Sequence, residues 1–390
     1  MNKRRMILGA VLAAVMLLLP VAAEAAWQPE LLVGLQKGQS SVKVSVDKAF
    51  VIRTVKAHKV LYKGSAGKPL AIAYSGSGFT VDGKQLKAGQ EAIECIVADE
   101  RQLAQQVTRI NGRAYRGAVQ LQPKGAGFTV INRVTVEEYL RGVVPEEMPP
   151  EWNTEAVKAQ AVAARTFALS SRKRHASEGY DLCATTHCQQ YSGVAAEKAG
   201  ADRAIKATAG EVLTYRGKLI DALFHTDSGG MTENSEDVWG SQIPYLRAAK
   251  EVHTKTYPWE KNVTAATLAS VLASHGKNIG EIKKVELADL QPGKRVKGRT
   301  VSGRAQQVCF TGKNGTAVVS GNDLRNWLGL KSTMFDLLLR SGVVFIRGYG
   351  WGHGLGLSQW GAKAYADEKG YKYTAILSNY YVGTTLKKLY

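Results

Sequence analysis

The sequence predicts an α+β fold, and three observations carry that expectation. Short β-rich runs broken by turn signals fill residues 27–133, an alanine-rich helical stretch follows at 154–172, and strands then alternate with helices to the C-terminus. The chain has 390 residues, 45% of them hydrophobic, with only 10 prolines. That composition excludes a disordered or collagen-like chain, and at ~150 residues per domain it predicts two or three compact units.

Lys3, Arg4 and Arg5 precede an apolar run over 6–23, and Ala23-Glu24-Ala25 has the small-x-small spacing that a signal peptidase reads. Residues 1–25 are therefore expected to be an export signal, cleaved near Ala25 and leaving the protein in the periplasm, cell wall or medium. An uncleaved anchor is the competing reading, since 18 apolar residues nearly span a bilayer, but Pro20 and the alanine-rich end favour cleavage. Loss of Lys3, Arg4, Arg5 and Glu24 lowers the formal charge from +19 to +17. An exported protein this basic meets anionic lipid and wall polymer rather than nucleic acid, so a cell-envelope surface is the expected partner.

Residues 26–130 read as a β-rich region, a small sandwich or barrel, with strands at 42–46, 50–55, 70–73, 79–81, 92–97, 118–121 and 128–131. Thr135 followed by Glu138 predicts a capping box opening a short helix to Arg141, which makes Glu138 a cap. A proline-punctuated loop follows over 143–152. The alanine-rich helix 154–172 is expected to be buried on a close-packed antiparallel sheet. A helix over 197–208 leads to a hairpin of strands 211–215 and 218–224. Residues 258–340 read as an inserted α/β segment that extends the surface, with a helix at 264–275. A helix at 323–328 ends that segment, and the closing part, 341–390, holds a Gly-rich strand and helices at 358–367 and 373–380.

Four segments could carry chemistry. In the loop 144–152, Val143, Val144, Met148 and Trp152 surround a carboxylate with apolar groups, which raises its pKa toward that of a general acid; Glu147 is the candidate. The competing reading is a loop of three solvated acids. In the run 348–357 glycine takes every second place, so an extended strand would put Tyr349, Trp351, His353, Leu355 and Leu357 on one face and leave the other bare for a ligand, with aromatics for sugar stacking. A strand packed under a helix would need the same glycines.

The third segment pairs Thr186-His187-Cys188 with Asp227-Ser228-Gly229-Gly230 and superficially looks like a serine protease. Only 41 residues separate His187 from Ser228, too few for a two-barrel protease fold. In the fourth, Cys183 and Cys188 stand five apart, with His187 between them and His175 upstream. Export allows a Cys183–Cys188 disulfide; two thiolates with His175 and His187 would make a Cys₂His₂ zinc site, structural because four protein ligands close the shell; two free thiols are the third option. No cofactor is required for activity on any of these readings.

Taken in order, Val136-Glu137-Glu138-Tyr139-Leu140-Arg141-Gly142-Val143-Val144, Glu147-Met148-Pro149, Lys158-Ala159-Gln160-Ala161-Val162-Ala163-Ala164-Arg165-Thr166, Ser228-Gly229-Gly230, Trp239-Gly240 with Pro244-Tyr245-Leu246, Gly352-His353-Gly354 and Ser358-Gln359-Trp360-Gly361-Ala362 resemble the sporulation stage II protein D (SpoIID/LytB) family. The resemblance covers roughly 131–257 and 341–390, the two parts of a shared core. It implies a lytic transglycosylase that cleaves peptidoglycan glycan between N-acetylmuramic acid and N-acetylglucosamine, on peptide-stripped strands, leaving a 1,6-anhydro end. It carries the single catalytic acid onto Glu147 and places Arg165, His225, Ser228, His353 and Gln359 along the glycan groove; His225 and His353 could equally be core histidines. A branch of the family binds zinc through a cluster comparable to that at Cys183, His187 and Cys188. The family's other role, a non-catalytic wall-binding enhancer of an N-acetylmuramoyl-L-alanine amidase, is the alternative, and a cell-wall amidase is then the partner.

Overall fold

The computed structural model describes residues 27–390, so the export signal expected over 1–25 lies outside the described residues. Within Ser41–Val46, exposed and buried residues alternate, and Val42, Val44 and Val46 turn inward. The same two-residue period builds two sheets on one core. A seven-stranded sheet runs Leu182–Cys183, Glu30–Gln39, Gly127–Thr135, Ala118–Lys124, Ile93–Val97, Phe50–Thr54, Val60–Gly64. The six-stranded sheet facing it runs Arg113–Arg116, Val107–Ile110, Ser41–Val46, Leu70–Tyr74, Phe79–Val81, Lys84–Gln85. Phe79 of one and Phe128 of the other meet with ring centroids 5.8 Å apart. The long strand Glu30–Gln39 escapes the sequence pattern because its register shifts at Gly34 and Gln36 and breaks the alternation.

Strand Gly127–Thr135 runs straight into helix α1, Val136–Arg141. The capping box expected there is not formed. The Thr135 hydroxyl has no partner, and Glu138 instead pairs at 2.9 Å with Arg116, at the end of the strand Arg113–Arg116, and at 2.9 Å with Arg141, one turn on in α1. The expected loop after α1 contains a single helical turn, α2, Val144–Glu147, with Pro145 in its first turn, where a missing N–H is not needed.

Helix α3, Thr154–Ser170, starts where the Asn153 side chain accepts the Glu155 N–H. Its alanines let neighbours approach from all sides. It packs against α1, α2, α4 (Ala199–Ala207), α8 (Gln359–Lys369), α9 (Tyr373–Tyr380) and the strand Glu211–Tyr215, centre of an antiparallel three-stranded sheet. The strand expected over 218–224 is divided. Lys218–Leu219 closes the hairpin, whereas Phe224–His225 leaves it to pair in parallel with Leu357–Ser358.

Short helix α5, Ser235–Trp239, leads to a segment with its own hydrophobic core, in which α6 (Ala265–Ser274) and α7 (Gly321–Leu328) pack on two three-stranded sheets around Leu268, Phe310, Leu324 and Phe335. It does more than extend the surface. Ser302 donates to the Glu233 carboxylate at 2.6 Å, Thr300 donates to the same oxygen, and Arg304 reaches the Ser228 carbonyl at 2.7 Å.

The Gly-rich run is not an extended strand. The strand Val343–Gly348 ends at its first glycine, and Gly350, Gly352, Gly354 and Gly356 all take positive φ, so the backbone turns at each and the intervening side chains diverge. Trp351 is exposed while Leu355 is fully buried. Among the described residues no helix is long and apolar enough to cross a membrane.

Candidate active site

Glu146 and Glu151 point to solvent, whereas Glu147 closes α2 with its carboxyl turned inward beneath the buried Val143, Val144 and Met148. Its Oε1 accepts the Gln190 N–H at 3.2 Å, and the Gln359 side chain lies close enough to favour its ionised form. No cation pairs with it among the described residues. Burial pushes its carboxyl above the ordinary carboxylate value, and Gln190 and Gln359 offset only part of that shift.

The carboxyl opens onto a cleft of about 410 Å³ that Glu147 shares with His187, Cys188, His225, Trp351 and His353. These residues come from four separate parts of the chain. The His225 Nδ1 lies 3.1 Å from the Leu355 carbonyl and so carries the proton, which leaves Nε2 as a bare acceptor with no partner. His353 accepts the Leu355 N–H at 3.0 Å through its own Nδ1. Burial, with Arg304 and Arg325 nearby, drives His353 down to about 4; burial, His353 and Arg304 hold His225 well below the usual histidine value. Both rings are therefore neutral hydrogen-bonding groups at neutral pH, not cations. Trp351, 44% exposed, supplies an apolar ring at the rim.

Three residues expected along the groove lie elsewhere. Arg165 is completely buried and grips Glu137 with two bonds of 2.8 Å while donating to the Ile205 and Glu211 carbonyls; a helix buried on every side gives its arginine no route to a groove. Ser228 is buried, its hydroxyl accepting the Gly230 N–H at 3.0 Å, and none of its hydrogen bonds involves a histidine. Tyr349 turns away from the cleft toward Lys255, because Gly350 reverses the chain after it. Gln359 is buried but touches Glu147 and so acts at the site.

The cysteine-rich loop forms one wall. His175 Nε2 stands 3.4 Å from Cys188 Sγ, and His187 Nδ1 stands 3.6 Å from Cys183 Sγ and 3.7 Å from Cys188 Sγ. All four donor atoms lie within 4.8 Å of one another. A tetrahedron with Zn–S near 2.3 Å and Zn–N near 2.0 Å has S···N edges of about 3.5 Å, so the donors fit a Cys₂His₂ zinc site. His175 also hydrogen-bonds the Glu178 carboxylate through Nδ1 at 2.8 Å, which fixes the ring with Nε2 turned toward the sulfurs. Burial works against ionisation of Cys183, but bonds from Thr185, Cys188 and His187 outweigh it and bring its thiol down to about 6. The two sulfurs are not joined, so the disulfide alternative is not formed here.

A family model described as stage II sporulation protein matches residues 124–215, the segment holding α1 to α4, Glu147 and the four donors. A second model, a domain of unknown function, matches 234–356. The stage II sporulation protein D of Bacillus amyloliquefaciens is 34% identical over 279 residues, covering 66% of this chain and 76% of that protein. The chain belongs to the SpoIID family. An uncharacterized protein of Brachyspira hyodysenteriae is 30% identical over 71% of this chain and 73% of its own length. The amidase enhancer of Bacillus subtilis is 32% identical over 63% of this chain, which spans only 40% of that protein.

In this SpoIID chain several site residues escape sequence reasoning. Gln190 contributes a backbone N–H, which no side-chain pattern announces. Arg325 lines the cleft from α7, inside the segment expected to be peripheral. Arg304 gave no signal either, although it is wholly buried, because its partners Ser228 and Gly354 are distant in sequence.

Proposed function

We propose that the cleft is the active site of a peptidoglycan lytic transglycosylase that uses Glu147 alone as acid and base. The observation that carries this reading is a buried carboxyl with no cation partner, its pKa raised, opening onto a cleft with a tryptophan at its rim. In the proposed reaction the Glu147 carboxyl protonates the glycosidic oxygen between N-acetylmuramic acid and N-acetylglucosamine, and the bond to the anomeric carbon breaks. The carboxylate so formed takes the proton of the muramic acid 6-hydroxyl as that oxygen attacks the same carbon. A 1,6-anhydro end results and Glu147 is again protonated, so one carboxyl suffices where hydrolytic glycosidases use two. The unpartnered Nε2 of His225 is suited to accept a hydrogen bond from a sugar hydroxyl. Zinc held by His175, Cys183, His187 and Cys188 would be structural, fixing the loop that ends two residues before Gln190.

Peptide-stripped glycan is the substrate this reading favours, and the protein acts outside the cytoplasm at the cell envelope. The test is mass spectrometry of products from intact and amidase-treated peptidoglycan, with wild type and Glu147→Gln. Anhydro-ended fragments from wild type alone are expected. Bound but uncleaved glycan from both proteins would instead support a wall-binding enhancer of an N-acetylmuramoyl-L-alanine amidase, the reading favoured by the name of the Bacillus subtilis relative.

A further inference from the structure

A second cavity, of about 470 Å³, lies beyond the cleft and has no part in the chemistry at Glu147. Its walls include Tyr257, Trp360 and Val252, and its acidic side is made by Asp227 and Glu251. Glu251 Oε2 accepts the Tyr380 hydroxyl at 2.8 Å, but Oε1, although withdrawn from solvent, has no partner. Gly361 is what lets that carboxyl sit there, since a Cβ at this position would overlap Glu251 Oε2. Burial pushes this carboxyl up to about 7, so at neutral pH it offers both a proton and an acceptor oxygen in the cavity wall.

A row of aromatic rings joins this cavity to the cleft. Trp351, on the cleft rim, has its ring centroid 5.7 Å from Tyr257; Tyr257 is 6.4 Å from Trp360; Trp360 is 4.8 Å from Trp152. Trp351 and Trp360 are 44% and 42% exposed, so two of the largest apolar side chains in the molecule are left in water side by side along one path. Tyr257 is held there at a cost. It takes a left-handed φ of 51°, which a bulky aromatic residue avoids, and the Gly350 N–H fastens its carbonyl at 3.1 Å. The Lys331 ammonium lies 5.1 Å from the Tyr257 ring centroid and 5.0 Å from that of Trp351, bracing the row where it leaves the cleft.

Trp351 and Trp360, their rings tilted 58° and 62° to that of Tyr257 between them, leave two exposed apolar surfaces beside a cavity with an acidic wall. That arrangement suits a chain of sugars, since each sugar has an apolar face of C–H groups and a rim of hydroxyl and amide donors. We propose that the row Trp351–Tyr257–Trp360 and the cavity at Asp227 and Glu251 form a second sugar-binding stretch, which grips the N-acetylated hexosamine strand beyond the residues held at Glu147. This inference rests on the reading of the cleft as a glycan site. A strand long enough to fill both stretches is bound more tightly than a short one, and the enzyme is thereby directed to long glycan.

The test is calorimetric titration of Glu147→Gln protein with β-1,4-linked N-acetylglucosamine oligomers of two to six units. Affinity is expected to rise with length. Trp360→Ala should remove about a three- to tenfold gain for the longest oligomer and leave the shortest unchanged, with Trp360→Phe restoring most of it. Glu251→Gln, close in shape, should reduce the same length-dependent gain. Measurable binding that does not grow with length, or a gain that Trp360→Ala leaves intact, overturns the second stretch while the cleft reading stands. No binding at any length, by protein whose thermal unfolding matches wild type, overturns both. Because the readout is binding, it is independent of whether anhydro products form.

Discussion

Glu137 and Glu147 are ten residues apart, the first buried and the second half-buried with its carboxyl turned inward, and opposite in character. Glu137 lies under the guanidinium of Arg165 and also accepts the Gly210 N–H at 3.1 Å and the Tyr390 hydroxyl at 2.5 Å. Its charge is fully answered, and it ties α1 and α3 to the end of the chain. Glu147 accepts one backbone N–H, with the Gln359 amide nearby, and pairs with no cation among the described residues. The first carboxyl is answered by a cation, whereas burial without one pushes the second toward its protonated form, so one is mortar and the other a tool. Burial alone distinguishes nothing; the charge that answers it does.

Replacing each carboxyl's key group should separate the two roles, and the largest effect is expected at Glu147. Glu147→Gln keeps the shape and the amide contacts, so release of anhydro fragments should fall by about 10²–10⁴ while the unfolding midpoint stays near wild type. A comparable loss of both would make Glu147 a second structural carboxyl. The converse holds at Arg165. Arg165→Met strands Glu137 as an uncompensated buried charge, and a loss of about 3–5 kcal/mol in urea unfolding is expected. A variant that instead folds normally but fails to bind glycan would return Arg165 to the groove.

The legible part of the molecule follows from this contrast. The α+β class, the helix α3 and most of the other helices could be read, because local periodicity decides them, whereas the short helices α2 and α5 could not. The apolar surroundings of Glu147 could be read because those neighbours are adjacent in sequence. The role of Arg165 could not, since its partner lies 28 residues away and only the packing of α1 on α3 brings them together. The Gly-rich run misled for a similar reason. Alternating glycines suit a bare strand face, but they also permit a series of left-handed turns, and the contacts of Gly352 with His225 and of Gly354 with Arg304 decide between the two.

The cysteine loop lies between the two extremes, and it sharpens the comparison because Gln190, which holds Glu147, is only two residues beyond Cys188. If zinc stiffens that loop, chelation should lower activity about tenfold without unfolding the β-rich region. Glu178→Ala, which frees the His175 ring, should weaken zinc retention by about 10–100-fold in a competition assay with a coloured chelator. Purified protein that carries no zinc and loses nothing to chelators would leave the loop to hold Gln190 by its own hydrogen bonds.

The smallest effect concerns stability against pH, where the two carboxyls should again differ. A carboxyl whose pKa is raised by folding binds its proton more tightly in the native than in the unfolded chain. Its contribution to stability is therefore greatest below the unfolded value near 4.5 and declines as pH rises toward the folded value. Glu147→Gln cannot ionise and escapes that loss, so the variant should gain on wild type in urea unfolding as pH is raised from 4 to 8. The same raised pKa keeps the general acid protonated to higher pH, so the alkaline limb of the activity profile should lie above the ordinary carboxylate range. Glu137 predicts no such gain, because Glu137→Gln removes the charge that Arg165 needs and should lose stability across the same pH range. If both variants gained together, the cation at Arg165 would not be what separates mortar from tool.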